Sequence, residues 1–345
     1  MDNPSTDISA GCRNVAPISG TKVLLVASQT TPDVRGVTEA PLAKILVPLI
    51  TLWIVWGSTY VGLGMMVKTM PPLLGAGTRF LAAAAILAVV VLILRGPRVF
   101  NVTWAQFRGA MFMGASLLGI GIGILSLAQR YVPSGIAALI VSVMPLWIIF
   151  FRLRAGDRPA RLTVIGVGVG LFGLGLMLLP GGTQPQGGAG TTQVTLWSIA
   201  IAIGSFCWAF FSWRSTRYQQ PNDLLVTTVI ELFSAGFMLS ALGLITGDRW
   251  ESAKYSTESW IGWGALVLAS AIVYSAYVWL LGNAPMSLVS TYAYVNPVVA
   301  VLLGFIVLSE PLTSDVILGL TIVVGGVILV VSGERRPKLV PQELG

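Results

Sequence analysis

Long apolar blocks separated by short polar segments fill the chain from about residue 45 to residue 332. LAAAAILAVVVLIL (81–94) and VILGLTIVVGGVILVV (316–331) are typical, and a bilayer-spanning helix needs about 20 such residues. The blocks lie at about 46–66, 73–94, 109–128, 134–151, 162–180, 195–213, 224–246, 259–281, 287–308 and 315–332. This pattern predicts an all-α polytopic membrane protein with ten transmembrane helices.

Composition supports the membrane assignment and excludes several classes of enzyme. Only 10% of the 345 residues are charged and 55% are hydrophobic, whereas an ordinary soluble domain carries about 25% charged residues. The chain has no His, which excludes His-ligated zinc hydrolases and Ser–His–Asp hydrolases. Its two cysteines, Cys12 and Cys207, cannot build a repeated-CxxC metal site. We therefore expect no metal, no other cofactor and no enzymatic activity.

Polar tails flank the apolar region. Residues 1–43 are rich in Ser, Thr, Pro, Gly, Asp and Asn, and their one apolar run, VLLVA (23–27), is too short to span a bilayer. This composition predicts a disordered N-terminal tail rather than a cleaved signal peptide. Residues 334–345 form a short C-terminal tail.

The basic residues between the blocks predict the orientation of the chain. With the N-terminal tail in the cytoplasm, 16 Lys and Arg lie on the cytoplasmic side and 4 on the other, while Arg79 lies inside a block. Both termini are therefore predicted to be cytoplasmic at the plasma (inner) membrane. The net charge of +7 then faces the anionic inner leaflet, so no nucleic acid is needed to explain it. The expected partners are the bilayer and a small-molecule substrate, and the sequence is compatible with a monomer or a homodimer.

The sequence repeats itself at an offset of 152 residues. The coinciding pairs are Trp56 with Trp208, Pro133 with Pro285, Pro145 with Pro297, Pro159 with Pro311 and Gly173 with Gly325. The Gly/Gln/Pro-rich segment 180–193 is the natural border between the halves. The predicted domains are repeat 1 (44–180), an external linker (181–194) and repeat 2 (195–333). Because each repeat has five spans, the second must be inverted, as in transporters with a midplane site between repeats.

Pro145 and Pro297 are candidate hinges. Each lies 12 residues after the proline that opens its block, or ~18 Å along a helix. Each lacks the N–H that would bond the carbonyl four residues earlier, at Val141 and Ala293. A packing kink is the alternative, because Pro is common in membrane helices. The symmetric pair beside polar side chains favours a hinge or a site.

Four segments carry a resemblance to a known family. They are WGSTYVG (56–62), PPLLGAGTRFLAAA (71–84), VPSGIAALIVSVMPLW (132–147) and NAPMSLVSTYAYVNPVVAVLLGFIVLSEPLT (283–313). With the ten spans and the repeat, they make the chain over about 44–333 resemble the EamA-type transporters of the drug/metabolite transporter superfamily. The resemblance implies a ten-helix bundle that exports small metabolites, often amino acids. It also implies a cavity lined by the first, third, fourth, sixth, eighth and ninth helices. The loop AGDRPARL departs from the family's acidic step, with Arg158 opposite Glu310.

Arg79 and Glu231 are the ionisable residues well inside the blocks, and they too are 152 positions apart. Arg79 is a candidate anchor for a substrate carboxylate, with snorkelling or bonding to carbonyls as the alternative. Glu231 is a candidate for proton coupling, and a structural role is equally compatible with the sequence. Each lies ~10 Å deep from opposite faces, so a direct ion pair between them is not assumed.

Aromatic and hydroxyl side chains complete the predicted site, because a cavity for small amphipathic solutes needs apolar faces and a few polar groups. The predicted substrate-binding residues are Trp56, Ser58, Tyr60, Arg79, Ser142, Trp208, Tyr292, Tyr294 and Asn296. Tyr292, Tyr294 and Asn296 alternate, so on one helix they cannot all face one lumen.

These features predict a secondary transporter that exports small organic metabolites, such as amino acids, by alternating access at a cavity between the repeats. Export of cationic or lipophilic drugs is one alternative. A membrane receptor or scaffold without transport is another, but it would not explain an inverted duplication with paired prolines. A membrane-embedded enzyme would need a cluster of His, Asp or Glu at one membrane face, and the sequence offers none.

Overall fold

The computed structural model describes residues 42–132, 134–141, 144–178, 190–308 and 314–334. These residues belong to one compact unit, and all of their regular structure is helical. The tail up to residue 41, the proposed linker up to residue 189 and the C-terminal tail after residue 334 lie outside the described residues.

The helices of the two halves follow the predicted blocks. In the first half they are α1 (Leu42–Thr51), a first π-helical segment (Leu52–Trp56), α2 (Gly57–Val67), α3 (Pro72–Arg95), α4 (Trp104–Gly114), a second π-helical segment (Ala115–Ile122), α5 (Gly123–Ala128), α6 (Ser134–Val141), α7 (Met144–Arg154) and α8 (Arg161–Leu178). In the second half they are α9 (Thr191–Arg214), α10 (Leu224–Ile245), α11 (Thr257–Asn283), α12 (Met286–Val289), α13 (Tyr292–Leu308) and α14 (Ser314–Glu334).

Local sequence explains where several helices begin. Pro72 opens α3, where a missing N–H has no helical partner to lose. Thr103 and Gln106 form a capping box at the start of α4. Asp223 accepts the backbone N–H of Leu225 at 2.9 Å and so caps α10. Each cap satisfies donors that the first helical turn leaves unpaired.

Within the described ranges, six helices are long and apolar enough to cross a membrane. They cover Lys44–Val67, Pro72–Arg95, Trp104–Ala128, Thr192–Arg217, Leu224–Ile245 and Thr257–Asn283, and shorter apolar helices cover Arg161–Gly173 and Ile317–Gly333. Their outer surface is apolar, with Ile93 78% and Ile245 81% exposed, as a lipid-facing surface requires. The helices thus confirm the polytopic membrane fold, while the count of ten spans stays a prediction.

The second and seventh predicted spans, α3 and α10, pack against each other in opposite directions. A Cβ on Gly243 would lie 3.1 Å from the backbone nitrogen of Leu74, and one on Gly236 would lie 2.8 Å from that of Leu81. The contacts move backward along α10 as they move forward along α3, so the two helices are antiparallel. Glycine permits this close approach of two backbones.

The fifth and tenth predicted spans, α8 and α14, form a second antiparallel pair. A Cβ on Gly166 would lie 2.7 Å from the backbone nitrogen of Val330, and one on Gly173 would lie 2.8 Å from that of Val323. Glycine again allows the backbones to touch.

Corresponding helices begin at the predicted offset. The starts of α3 and α10, Pro72 and Leu224, are 152 residues apart, and so are those of α6 and α12, Ser134 and Met286. Each helix of the pairs α3/α10 and α8/α14 therefore packs against its counterpart in the other half.

Contacts between connecting segments sort the helix ends into two faces. On the basic face, which the charge distribution predicts to be cytoplasmic, Arg95 forms an ion pair with Asp223. On the opposite face, Lys68 Nζ lies 2.6 Å from Glu258 Oε1. The ends of α3 and α11 are therefore held by ion pairs on different faces.

The ninth predicted span is interrupted before its central proline. α12 ends at Val289 and α13 begins at Tyr292, and α13 then runs through Pro297. At the interruption the Ser290 and Thr291 hydroxyls donate to carbonyls three residues earlier, at 3.0 and 2.7 Å. The break in the helix thus lies about two turns N-terminal to the predicted kink.

Candidate functional site

Four aromatic side chains from both halves meet at the centre of the molecule. Trp56, Trp208, Tyr277 and Tyr292 form this aromatic cluster. The Trp56 ring stacks on Tyr292 with centroids 5.0 Å apart, and it meets Trp208 and Tyr277 edge-on at 5.5 and 5.4 Å. Such offset and edge-on arrangements are the favourable ones for aromatic rings.

Hydrogen bonds fix the polar tips of the cluster. Trp208 Nε1 donates to the Tyr277 hydroxyl at 2.8 Å, and Ser212 Oγ lies 2.5 Å from the same hydroxyl. The Tyr292 hydroxyl donates to Met144 Sδ at 3.0 Å. The rings are therefore held in place by bonds that link the sixth, eighth, ninth and fourth predicted spans.

A cavity of about 40 Å³, pocket 1, opens against the cluster. Its lining includes Trp56, Tyr60 and Met144 from the first half and Ile201, Trp208 and Tyr292 from the second. Gly121 also lines it, and a Cβ there would lie 2.5 Å from Trp208 Cε3, so a side chain at this position would displace the indole. Pocket 1 is therefore a small cavity with the mostly apolar and aromatic lining that is typical of ligand sites.

A second cavity of about 40 Å³, pocket 2, lies next to pocket 1 and shares Trp56 and Ile122 with it. Arg79 lines pocket 2 together with Thr59 and Tyr274. The Arg79 side chain is only 5% exposed, and its Nε has no hydrogen-bond partner within the described part of the chain. The arrangement places a cation at the edge of the aromatic cluster.

Glu231 lies at a third cavity of about 380 Å³, pocket 3, which opens among the helix ends of the basic face. Glu231 is 1% exposed, and its Oε1 accepts a hydrogen bond from Gln220 Nε2 at 2.8 Å. Its Oε2 and the Tyr274 hydroxyl both lack a partner at hydrogen-bond distance among the described residues, although the two groups interact electrostatically. Tyr274 therefore lies between the carboxyl group at pocket 3 and the guanidinium at pocket 2.

Arg79 and Glu231 do not pair with each other. Among the ion pairs that join described residues, neither side chain takes part. This agrees with the sequence-based view that opposite depths keep the two groups apart. The nearest ring to Arg79 is that of Phe80, whose centroid lies 4.5 Å from Arg79 Cζ.

The other predicted site residues lie in different surroundings. The Ser58 hydroxyl bonds the Val55 carbonyl at 2.7 Å, and Ser58 does not line either central pocket in the described structure. Asn296 is fully buried, and neither atom of its amide has a partner within the described residues. Ser142 and the side chains of Tyr294 and Pro145 lie outside the described part of the chain.

Sequence reasoning missed two tyrosines and a glutamine. Tyr277 bonds Trp208, Tyr274 faces Glu231, and Gln220 bonds that carboxyl group. The one signal for the tyrosines is that the family resemblance implies that the eighth helix lines the cavity. Gln220 lies in a short polar connection and gives no signal of its own.

Comparison with known families places this geometry in context. The model of the EamA-like transporter family matches twice, over residues 44–179 and 195–332. The two matches contain the α3/α10 and α8/α14 partners on opposite sides of the border.

Two relatives and one solved structure are similar to the chain. The "uncharacterized inner membrane transporter YedA" of Escherichia coli strain K12 is 37% identical over 288 residues, which cover 83% of this chain and 90% of YedA. The "uncharacterized transporter YoaV" of Bacillus subtilis strain 168 is 22% identical over 294 residues, which cover 84% and 97%. A protein crystal structure has the same fold, with a TM-score of 0.70, 20% identity and coverage of 85% of this chain and 98% of that one.

Proposed function

The chain belongs to the EamA-like transporter family, and from that membership we propose that it exports small organic metabolites as a secondary transporter. It is a multi-pass inner membrane protein with several membrane-spanning helices. Under the proposal ten spans form two inverted repeats, and both termini are cytoplasmic. Pocket 1 is the midplane site, and alternating access exposes it first to one face and then to the other.

The observation that carries the proposal is the shared lining of pocket 1. Trp56 and Met144 belong to the first repeat, and Trp208 and Tyr292 belong to the second. A rocking motion of one repeat against the other would therefore change the shape of this cavity more than that of a cavity lined by one repeat alone. The antiparallel packing of α3 with α10 is the geometry that such an inverted pair needs.

Glu231 gives the proposal a route to proton coupling. Carboxyl groups inside membrane spans commonly serve in proton relays. Glu231 reaches pocket 3 on the basic face, and Tyr274 extends from its other side toward pocket 2. A proton taken up at Glu231 would thus change the charge balance beside the Arg79 pocket without direct contact between the two side chains.

Flux in proteoliposomes tests the transport function. The purified protein would be screened against labelled amino acids and small organic acids, with and without a pH gradient. We expect saturable flux of at least one compound, and we expect Tyr292→Ala to reduce it. Phe237→Ala is the matched control, because Phe237 is an aromatic residue exposed on the outer surface. Binding without flux by the wild-type protein would favour a receptor and contradict transport.

Cysteine labelling tests the proposed orientation. Single cysteines would replace Arg154 on the basic face and Glu251 on the opposite face in a Cys-free background. An impermeant thiol reagent applied to whole cells should label Glu251→Cys and spare Arg154→Cys. The reverse pattern would invert the topology.

A further inference from the structure

Arg79 is a buried cation without a counter-charge among the residues that the structure describes. Its side chain is 95% buried, and no described acceptor or acidic group bonds its guanidinium. Burial to this degree means that Arg79 does not snorkel to a headgroup, and the free Nε means that it does not bond a carbonyl from that atom. An unpaired charge in apolar surroundings is strongly destabilising, so the site is incomplete without an anion.

The shape of the guanidinium group indicates which class of anion would bind to it. Arginine presents a planar fork of N–H donors that matches a carboxylate with two parallel hydrogen bonds. Arg79 is the only charged residue among the described residues that line pockets 1 and 2. A ligand with one negative charge would therefore neutralise Arg79. Any second charge on the ligand, positive or negative, would find no partner among the described residues of the two pockets.

The lining of pocket 1 indicates the chemistry of the part of the ligand that lies away from the carboxylate. It adjoins pocket 2 along Trp56 and Ile122, and most of its described lining is aliphatic or aromatic. Ser205 Oγ is a buried hydroxyl in this wall without a partner among the described atoms. In the proposed complex, the apolar body of the ligand would lie against Trp56 while its carboxylate reaches Arg79.

From this geometry, and resting on the proposed transport function, we infer that the substrate is a singly charged organic carboxylate with an apolar body and no ammonium group. An amino acid is disfavoured because its ammonium group would find no carboxylate in the two pockets. Glu231 does not supply one, since it lines pocket 3 and lies behind Tyr274.

Four probes with one body and different head groups test this inference. They are 3-phenylpropionate (an anion), phenylalanine (a zwitterion), phenethylamine (a cation) and 3-phenylpropanol (neutral). Equilibrium binding of labelled 3-phenylpropionate to the purified protein, with the others as competitors, gives their relative affinities. We expect the anion to bind about tenfold to a hundredfold more tightly than the other three, as charge-assisted hydrogen bonds imply.

Variants assign the preference to one side chain. Arg79→Gln should reduce 3-phenylpropionate binding to the level of the alcohol and leave the alcohol unchanged. Arg79→Lys keeps the charge without the fork and should bind the anion with intermediate affinity. Arg130→Gln is the control, because it removes an exposed charge at the end of the third span and should change nothing. The wild-type probe series remains informative even if the Arg79 variants do not fold.

The outcomes separate this inference from the transport proposal. Equal binding of the acid and the alcohol, tighter binding of phenylalanine, or no binding of any probe at millimolar concentration would overturn the carboxylate assignment. Flux of phenylalanine or phenethylamine that survives Arg79→Gln would do the same and leave transport intact. Selective binding of the acid with no flux of any compound would retain the anion site and overturn transport.

Discussion

Arg79 and Glu231 occupy equivalent positions in the two repeats and have opposite surroundings. Both lie seven residues from the start of their helices, α3 and α10, which run antiparallel. Arg79 faces pocket 2 and its Nε has no polar partner in the described ranges, whereas Glu231 faces pocket 3 and is bonded by Gln220. The duplicated scaffold thus places one charge of each sign at matching depths from opposite faces.

The two halves therefore share the packing of their backbones, while equivalent positions carry side chains of different chemistry. The backbone pairing of α3 with α10 depends on glycines from both helices. The side chains at the shared positions then differ, since Arg79 lines pocket 2 and Glu231 lines pocket 3. Transport by inverted repeats needs symmetric motion, but it does not need symmetric contacts.

The largest expected effect comes from removing the carboxyl charge. Glu231→Gln keeps a hydrogen-bonding group beside Gln220 and Tyr274 but cannot release a proton. We expect flux driven by a pH gradient to fall to the level seen without a gradient, while equilibrium binding of substrate persists. Glu258→Gln on the opposite face is the control, because Glu258 is exposed and pairs with Lys68. Retention of gradient-driven flux would reduce Glu231 to a structural role.

The next largest effect is expected from disturbing the close packing of α3 against α10, the helices that carry Arg79 and Glu231. A Cβ on Gly236 would meet Leu81 and the Gly77 carbonyl at 2.8 and 2.9 Å, so Gly236→Ala should force α3 and α10 apart. Overpacking of this kind costs about 1–3 kcal/mol. The melting temperature in detergent should fall, whereas Gly264→Ala should not lower it, since the space around Gly264 is open. Equal melting temperatures for both variants would show that the helix pair is not tightly packed.

Substitution of the paired prolines tests the hinge hypothesis and should have a smaller effect. Pro297→Ala restores an N–H that can bond the Ala293 carbonyl and should stiffen α13. We expect substrate binding to persist and turnover to slow severalfold, with Pro145→Ala slowing it by a similar factor in the other repeat. Binding and flux would be measured on the same proteoliposome preparations. Wild-type turnover in both variants would make these prolines packing residues, and the hinge hypothesis would be dropped.

The smallest expected effect is the difference in stability between variants of the two equivalent tryptophans. Trp208 donates a hydrogen bond to Tyr277, whereas the described contacts of Trp56 are between rings. Phenylalanine preserves a ring but removes the donor. Trp208→Phe should therefore lower stability by about 1 kcal/mol more than Trp56→Phe. Chemical unfolding in detergent, followed by circular dichroism, measures the difference, and equal losses would assign the cluster to ring packing alone.

Much of the fold could be predicted because the signals are periodic and local. Apolar blocks indicate the spans, and the offset that aligns Pro133 with Pro285 also aligns the starts of α3 and α10. Trp56, Trp208 and Tyr292 could be assigned to one predicted site because aromatic faces suit a cavity for small amphipathic solutes between the repeats.

The remaining features could not be predicted because they depend on three-dimensional contacts. Tyr274 and Tyr277 lie in a predominantly apolar helix, in which the pattern of side chains does not distinguish an inward face. The interruption at Ser290 and Thr291 arises from hydroxyls that bond nearby carbonyls, and the sequence pointed instead to Pro297. The polar partner of Glu231, Gln220, comes from a connection between helices.

The π-helical segments have a consequence for how the chain tolerates changes in length. Leu52–Trp56 and Ala115–Ile122 hold wider turns, with bonds five residues apart, inside otherwise α-helical spans. Such a turn accommodates a surplus residue without altering the register on either side. A one-residue deletion there should be absorbed by reversion to an ordinary turn, whereas the same deletion in the continuous α9 or α11 would rotate every later side chain by about 100°. The first repeat therefore has two segments that can absorb a change in length, and insertions or deletions in relatives should concentrate at these two segments.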